Sequence, residues 1–598
     1  MSPSDRRQRA LLVALALCAV GFGAYVRFAD QNQVFCQSPD EMSEVMPGIR
    51  LHGLPLTNLG APPRYNFLTS LFYSQHGLGD TSFYYLASGA LSALRIPVAE
   101  SSLYAAGGVV NLAFALAGGL LAGALAGAMA GWTFALFVLV SPFYVFVSKS
   151  GWARLTWTPL LLVLVFLAQR RAMRRRGLLW PAIFCALAGF VALTDGFVML
   201  PIVAALGWFS VDGRTRERLV ALAHDRVFLA GCTAIAAGLA IDLALGLVAR
   251  ARGSELTVMA YVLARGQAGA LVPSLHVLSA WTRCIDYYFP FRGAWILVCA
   301  AAALAAREGL RGRAIGVAAA WFLLASSGIL RYAGAAEAMN PGSVPGALNA
   351  YQIAPPSFLL TAWLLASYAP LRGRLGTAAV LVLAGAMAWQ STVVAFAEPP
   401  RNVAPNRLVK QADMPLSACR TVKAAAYYVR AHQEPGGPLP YVFHLSNDVY
   451  LGHIGELYYG LSYGGGPGDP NHLLDFGWHQ FGRQSPPEAF YEPYGVKRFD
   501  YYVAFTEERE TTKAPQAFAP AVIDRLKADG ARVVCTIVDG GRVLGWILSY
   551  RDEPPTTLDY RTASAAWNRR FGRAAALMQQ PLAGSAYHFG YQWRPPSQ

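Results

Sequence analysis

Apolar residues occur in long runs over the first two thirds of the chain, and charged residues are concentrated between them. The runs lie at about residues 11–28, 105–127, 132–147, 155–169, 178–194, 197–210, 227–249, 293–306, 314–332, 352–369 and 375–396. A helix needs about 20 apolar residues to cross a hydrocarbon layer of about 30 Å, and several runs are shorter than that. The pattern predicts about 11 transmembrane helices, with ends defined only to within a few residues.

The pattern changes after residue 396, where short strand-like and helix-like segments alternate. Helices are predicted near 418–433 and 517–529, and strands near 440–446, 499–505, 532–538 and 542–550. Asp539-Gly540-Gly541 supplies a turn between the last two strands. Residues 397–598 are therefore predicted to form a small α/β domain, with no structure assigned to the last 45 or so residues.

The composition excludes the usual soluble classes. Of 598 residues, 55% are apolar and 14% are charged, and the mean hydropathy is +0.33. Soluble domains are about 25% charged. A chain this apolar is not disordered, and it has no heptad period that would indicate a coiled coil. We predict a polytopic α-helical membrane protein, with a transmembrane domain at 1–396 and a C-terminal α/β domain at 397–598.

The net charge of +15 raises the question of nucleic-acid binding, but the position of the charge argues against it. With a cytoplasmic N-terminus, the inner segments hold 17 arginines and five acidic residues, which account for 12 of the 15 charges. This distribution is the positive-inside pattern that orients membrane helices. An odd number of helices then places the C-terminal domain on the outer, periplasmic face. Abundant Ala, Gly and Arg favour a GC-rich bacterium, so we expect a bacterial inner-membrane protein.

Two predicted outer segments, 30–104 and 250–291, are much longer than a connecting loop needs to be. Long ordered loops are usually functional. The first contains an apolar stretch at 83–97 that is too short to span and is predicted to lie as a helix at the membrane surface. We therefore expect the active residues on the outer face.

The cysteines divide into two groups. Four of the eight lie inside apolar runs, and Cys36, Cys284, Cys419 and Cys535 lie on the predicted outer side. An oxidising compartment permits disulfides there. A Cys419–Cys535 bridge within the C-terminal domain is one alternative, and free thiols are the other.

Asp40 and Glu41 are adjacent in the first outer segment, between Pro39 and the apolar Met42. A partly desolvated carboxylate at a membrane surface can accept the proton of an attacking hydroxyl, as a general base for group transfer must. The alternative is a solvated acidic pair at the start of a short helix, where carboxylates interact favourably with the helix dipole. Their spacing leaves both interpretations open.

Further motifs follow the first predicted helix and this acidic pair in order. They are Gly79-Asp80-Thr81-Ser82-Phe83-Tyr84-Tyr85, Ser141-Pro142, Ser150-Gly151-Trp152-Ala153-Arg154 and Leu193-Thr194-Asp195-Gly196. The set resembles the C-type (GT-C) superfamily of membrane glycosyltransferases, in particular its bacterial protein mannosyltransferases and its lipid A aminoarabinose and galacturonic acid transferases. The motifs cover residues 10–210, and the later helices match by topology. Asp80-Thr81-Ser82 replaces a basic or His-Pro-Pro element, and Asp195 replaces a lysine.

The resemblance implies that a sugar on a polyprenyl phosphate is transferred, with inversion, to a glycan, lipid or protein at the outer face. Asp40 is our choice of base, and Glu41 is the second choice or its orienting partner. Cations near the leaving phosphate would stabilise its developing charge. The candidates for this role are Arg154 first, then Lys149, Arg265, Arg283 and Arg331, and the last four fit a role as headgroup or interface anchors better than phosphate binding.

The remaining active-site candidates are Asp80, His76, Tyr84 and Asp195, although Asp195 could instead cap the helix that follows. Some relatives use a divalent metal near the donor phosphate. His76, Asp80 and His276 are the available ligands on the outer side, but their spacing has no metal-site signature. No other cofactor and no nucleic acid is expected.

Two other classes of membrane protein are alternatives to a glycosyltransferase. A transporter or flippase of lipid-linked or envelope substrates would show inverted repeats and polar residues near mid-bilayer. Only Asp242 lies deep in a predicted helix, and no two-fold hydropathy symmetry is visible. A membrane-anchored binding protein would not need the long segments 30–104 and 250–291.

Overall fold

The structure is a computed structural model, and its described residues form two compact units. It describes residues 17–29, 78–96, 98–149, 152–174, 177–210, 226–251, 275–311, 313–339, 351–368, 370–371, 373–396, 416–432, 440, 442–445, 499–506, 523–524 and 526–571. The described part of the first unit lies within 17–29, 78–83 and 104–396, and that of the second lies within 84–103 and 416–571.

The described residues before 397 are almost wholly helical. They form α1 (Leu17–Phe28), α2 (Leu78–Ala93), α3 (Glu100–Ala126), α4 (Ala128–Val140), α5 (Pro142–Ser148), α6 (Arg154–Arg174), α7 (Leu179–Val191), α8 (Leu200–Phe209), α9 (Arg226–Ala251), α10 (Leu275–Asp286), α11 (Ala294–Leu310), α12 (Ile315–Met339), α13 (Ala354–Ala366) and α14 (Arg374–Phe396). A 3-10 helix at Asp195–Met199 leads into α8.

Every predicted apolar run coincides with a helix or with a bent pair of helices. Among the described residues, α3 and α14 are long and apolar enough to cross a membrane, and the bent pair α4–α5 would be a third span. The predicted number of about eleven spans is therefore not confirmed, because several helices are shorter than a full crossing. The helix α2 begins at Leu78 and ends at Ala93, whereas the sequence placed it at 83–97.

The bend between α4 and α5 has a local cause. The two helices meet at an angle of 55° around Ser141, which has an extended backbone, and α5 begins with Pro142. Proline has no N–H group, so the carbonyl of Val138 loses its usual helical donor. The guanidinium of Arg27 in α1 replaces it, donating from Nη2 to the carbonyl of Val138 at 2.8 Å and from Nη1 to that of Leu139 at 2.7 Å.

An aromatic cluster fills the interior of the first unit. Its central ring is Phe358 of α13, whose side chain has no exposed surface. The ring centroids of five neighbours lie 5.4–6.5 Å away in tilted or edge-on arrangements, and these neighbours are Phe134, Phe137, Tyr144, Tyr288 and Phe289. Such geometry is favourable for aromatic pairs, and it holds α13 against α4, α5 and the end of α10.

The second unit is an α/β structure. Its helices α15 (Leu416–Ala431) and α16 (Tyr560–Phe571) accompany β1 (Val442–Leu445), β2 (Tyr501–Phe505), β3 (Arg532–Asp539), β4 (Arg542–Ser549) and β5 (Thr556–Asp559). The sheet order is β1-β2-β4-β3-β5, with parallel pairs at both ends and antiparallel pairs between them. The helix α15 packs against β2, β4 and α16. The α/β character predicted for this region is confirmed.

The predicted turn between the two long strands is also confirmed. Asp539 pairs with Arg542, which leaves Gly540 and Gly541 as a two-residue loop. Both glycines have left-handed backbones, with φ of 57° and 83°. A two-residue hairpin of this kind matches the twist of the strands and favours glycine at both positions.

The pattern of the sequence predicts neither β5 nor α16. The strand β5 is four residues long and lies at the edge of the sheet, where it is half exposed. Because neither of its faces is fully buried, its sequence shows no alternation of apolar and polar residues that would predict a strand. The start of α16 did carry a signal. The carboxylate of Asp559 accepts from the backbone N–H of Thr562 at 3.0 Å, which is the N-cap interaction of a helix.

The predicted Cys419–Cys535 bridge is wrong. Cys419 is disulfide-bonded, but the thiol of Cys535 is free, and the partner of Cys419 lies outside the described residues. Cys535 points into the core from β3 and contacts Thr556 of the neighbouring β5. Burial raises the pKa of its thiol to about 11, so it stays protonated and unreactive at neutral pH. Sequence alone cannot identify disulfide partners.

A buried ion pair stabilises the second unit. The ammonium of Lys423 in α15 lies 2.9 Å from the carboxylate of Glu100, the first residue of α3, and the two side chains are 1% and 2% exposed. Tyr560 also lies near Glu100, and burial together with this negative charge raises the pKa of its hydroxyl. Both charged groups are removed from water, and the attraction between them offsets part of the free-energy cost of burying each one.

We expect Glu100→Gln to lower the free energy of unfolding of the second unit by about 3–5 kcal/mol, because it leaves the Lys423 ammonium buried without its charge partner. Adding Lys423→Met to Glu100→Gln should recover much of this loss. Thermal unfolding of the full chain, combined with limited proteolysis of the second unit, measures both effects. Asp552→Asn is the matched control, since the Asp552–Arg532 pair is 97% and 75% exposed and should contribute nothing measurable. Equal stability of Glu100→Gln and Asp552→Asn would contradict the assignment.

Candidate active site

Two of the predicted phosphate-binding cations lie on either side of one short connection. Lys149 follows the last residue of α5, and Arg154 is the first residue of α6. Both side chains are almost wholly buried, with exposures of 1% and 4%. Charged residues are rarely buried to this extent unless they are paired. The connection between α5 and α6 is therefore the centre of the candidate site.

Arg154 lies against the aromatic ring of Tyr351, a residue that no sequence motif indicates. Its guanidinium carbon is 6.0 Å from the ring centroid of Tyr351, which precedes α13. A guanidinium at this distance from an aromatic face gains a cation–π interaction, and the planar group presents several N–H donors. These donors suit a phosphate, which arginine binds with two parallel hydrogen bonds.

Lys149 is held by the ends of two other helices. Its ammonium donates to the carbonyl of Ala29, just after α1, and lies 5.7 Å from the ring centroid of Phe396, the last residue of α14. The ammonium group is thereby fixed close to the end of the first helix. The predicted loop that contains Asp40 begins shortly after Ala29 in the sequence.

The structure brings the aromatic motif that begins α2 to the same helix as Arg154. The indole of Trp157 in α6 donates from Nε1 to the hydroxyl of Ser82 at 3.1 Å. The rings of Phe83 and Trp157 also lie 5.8 Å apart. Two residues that are 75 positions apart in sequence therefore bring the start of α2 beside the first turn of α6.

The other described candidates occupy different environments. Arg283 is exposed in α10, and its Nε donates to the carbonyl of Ser279 on the same helix at 3.1 Å. Tyr84 is buried in α2, with 1% of its surface exposed. Their roles in donor binding stay predictions.

Several candidates lie outside the described residues, so their proposed roles stay predictions. These are Asp40, Glu41, His76 and Arg265. For another group the backbone is described but the side chain is not, and this group comprises Asp80 in α2, Asp195 in the 3-10 helix, His276 in α10, Arg331 in α12 and Asp242 in α9.

The alternative role of Asp195 as a helix cap is wrong. The cap of the 3-10 helix is Thr194, whose hydroxyl accepts from the N–H of Gly196 at 3.1 Å and donates to the carbonyl of Val191 at 2.8 Å. Asp195 is the first residue inside that helix.

Among the described side chains, no three His, Cys, Asp or Glu residues lie close enough together to hold a metal ion. The side chains of the predicted ligands His76, Asp80 and His276 lie outside that part of the chain, so the metal site stays a prediction.

The structure is similar to that of ArnT from Cupriavidus metallidurans bound to undecaprenyl phosphate. The TM-score is 0.53 at 14% identity, with 91% of this chain and 98% of that chain covered. The apo state of the same protein gives a TM-score of 0.50 at 12% identity, with 92% of this chain and 98% of that chain covered. The archaeal oligosaccharyltransferase AglB from Archaeoglobus fulgidus gives a TM-score of 0.45 at 13% identity, with 83% of this chain and 70% of that chain covered. A scan against protein-family models finds no match, and a comparison with curated proteins finds none either.

The two comparisons with ArnT establish the fold, which in this chain is similar to that of ArnT. The similarity extends over nearly the whole length of both chains, so it includes the helical unit and the C-terminal sheet.

Proposed function

We propose that the protein is a membrane glycosyltransferase that uses a sugar linked to a polyprenyl phosphate. The observation that carries the proposal is the burial of two cations, Lys149 and Arg154, at one connection of a C-type fold. Two cations fixed in a buried setting would be favourable partners for an anionic ligand such as a phosphate. ArnT, whose fold is similar, has been crystallised with undecaprenyl phosphate.

The proposed reaction is a single displacement with inversion at the sugar. A hydroxyl oxygen of the acceptor attacks the anomeric carbon, and the bond between that carbon and the phosphate oxygen breaks. The bonding electrons leave with the phosphate, which is released as polyprenyl phosphate. The proton of the attacking hydroxyl passes to the carboxylate of Asp40, with Glu41 as its orienting partner or as the alternative base.

Lys149 and Arg154 have a defined role in this scheme. Negative charge increases on the phosphate oxygen as its bond to the sugar breaks. Fixed cations in a site that excludes water stabilise that charge without having to reorganise. We further propose that the site opens to the outer face of a bacterial inner membrane, where a glycan, lipid or protein accepts the sugar.

The proposal predicts a defined ligand preference. The full-length protein in lipid nanodiscs should bind undecaprenyl phosphate and should not bind undecaprenol, which lacks the phosphate. Membranes containing the protein should convert a polyprenyl-phosphate sugar into polyprenyl phosphate only when acceptor is present. Equal affinity for the two lipids would contradict the phosphate site. Translocation of the intact sugar lipid across sealed vesicles, with no glycosidic bond formed, would favour the flippase alternative.

A further inference from the structure

A buried polar network connects the bend between α4 and α5 to the first turn of α6. Its members are side chains from three helices, Arg27 in α1, Asn111 in α3 and Thr156 in α6, and all are between 0% and 1% exposed. Buried polar groups are costly unless they are hydrogen-bonded, so a network of this kind has a single favourable arrangement.

Asn111 is the central member. Its side-chain carbonyl oxygen accepts from the guanidinium of Arg27, at 3.1 Å from Nη2 and 3.3 Å from Nε. Its amide nitrogen donates to the hydroxyl of Thr156 at 2.9 Å and to the backbone carbonyl of Tyr144 at 3.1 Å. Rotating the amide by half a turn would place its N–H groups against the guanidinium, so the orientation of Asn111 is fixed.

The network connects the same guanidinium to the bend. Arg27 donates to the carbonyls of Val138 and Leu139. The carbonyl of Val138 has no i+4 donor because residue 142 is proline, and its backbone bond comes from the N–H of Ser141 at 3.4 Å. The hydroxyl of Ser391 in α14 satisfies the next carbonyl, that of Val140, at 2.7 Å. Ser391 is thus a second cap at the same bend, and none of its described contacts involves Asn111.

Thr156 lies two residues after Arg154 in the first turn of α6. The position of the first helical residue depends on the turn that follows it, because the backbone N–H of Thr156 bonds to the carbonyl of Ala153 at 3.0 Å. A hydrogen bond that fixes Thr156 therefore also fixes where α6 begins and where the side chain of Arg154 originates.

We propose that Arg27, Asn111 and Thr156 are positioning residues that hold Arg154 in the geometry for binding the donor phosphate. This inference rests on the proposed function. The three residues act through Arg154 and are not assigned a contact with the substrate.

The test is a matched set of variants whose dissociation constant for undecaprenyl phosphate is measured in nanodiscs beside their thermal unfolding. Thr156→Val keeps the shape and removes the acceptor for Asn111, and we expect about fivefold weaker binding, as for the loss of one buried hydrogen bond. Thr156→Ser keeps the hydroxyl and should bind like the wild type. Ser391→Ala removes a cap from the same bend and should lower the unfolding temperature while leaving the affinity unchanged.

A second variant keeps the inference falsifiable if Thr156→Val does not fold. Thr156→Ala also removes the hydroxyl but places no additional methyl group against the amide of Asn111, so it should weaken binding by a similar factor. Folded Thr156→Val or Thr156→Ala protein with wild-type affinity would overturn the positioning role. If Ser391→Ala weakened the binding of undecaprenyl phosphate by the same factor, the positioning role would also be overturned, because a general loss of stability would then explain the weaker binding. A wild-type protein that binds no undecaprenyl phosphate would instead overturn the proposed function.

Discussion

Arg154→Gln is expected to weaken the binding of undecaprenyl phosphate about 100-fold. The change removes a buried charge that would pair with the phosphate, and truncation of one member of such a pair costs about 3 kcal/mol. Each factor of ten corresponds to about 1.4 kcal/mol. Arg154→Lys keeps the charge but loses the planar donors and the stacking on Tyr351, so its affinity should lie between those of the wild type and Arg154→Gln. Titration of purified protein in nanodiscs measures all three.

Arg311→Gln is the control for this prediction. Arg311 is 55% exposed, pairs with Glu308 at 2.8 Å and lies at the predicted inner ends of the helices. Its replacement removes the same charge from the chain without approaching the candidate site. An unchanged affinity of Arg154→Gln, or an equal loss in Arg311→Gln, would show that Arg154 does not bind the donor phosphate.

The parts of the fold that the sequence predicted are those with strong local patterns. Apolar runs indicated the helices of the first unit, and alternation together with Gly540-Gly541 indicated the hairpin of the second. The edge strand β5 was missed because a short, half-exposed strand has no such pattern. The number of spans is not confirmed because apolar residues alone do not define a crossing: a helix packed among other helices is as apolar as one that crosses a bilayer.

The candidate site divides in a similar way. Arg154 was predicted because it stands in a local motif, but Tyr351 was missed because it comes from a distant segment with no motif of its own. Arg27 is the buried residue that was least to be expected from the sequence. An arginine near the end of an apolar run is usually an interface anchor. Here it is wholly buried because a proline far along the chain leaves the carbonyl of Val138 without its usual helical donor.

Asp40→Asn is expected to lower the rate of sugar transfer about 1,000-fold, within the range that general base catalysis contributes. An amide has nearly the same shape as a carboxylate but cannot accept the proton of the attacking hydroxyl. The affinity for undecaprenyl phosphate should be unchanged, because the base acts on the acceptor rather than on the phosphate. The rate is measured as acceptor-dependent release of polyprenyl phosphate in membranes, and the affinity is measured in nanodiscs.

Glu41→Gln separates the two neighbouring carboxylates. If Glu41 only orients Asp40, its replacement should reduce the rate much less than Asp40→Asn. The reverse order of the two effects would make Glu41 the base. Full activity of folded Asp40→Asn would exclude Asp40 from that role, whereas a combined loss of rate and affinity would indicate that the loop shapes the donor site. The Asp40 and Arg154 variants together thus distinguish proton transfer from phosphate binding, because each should change one measurement and leave the other nearly constant.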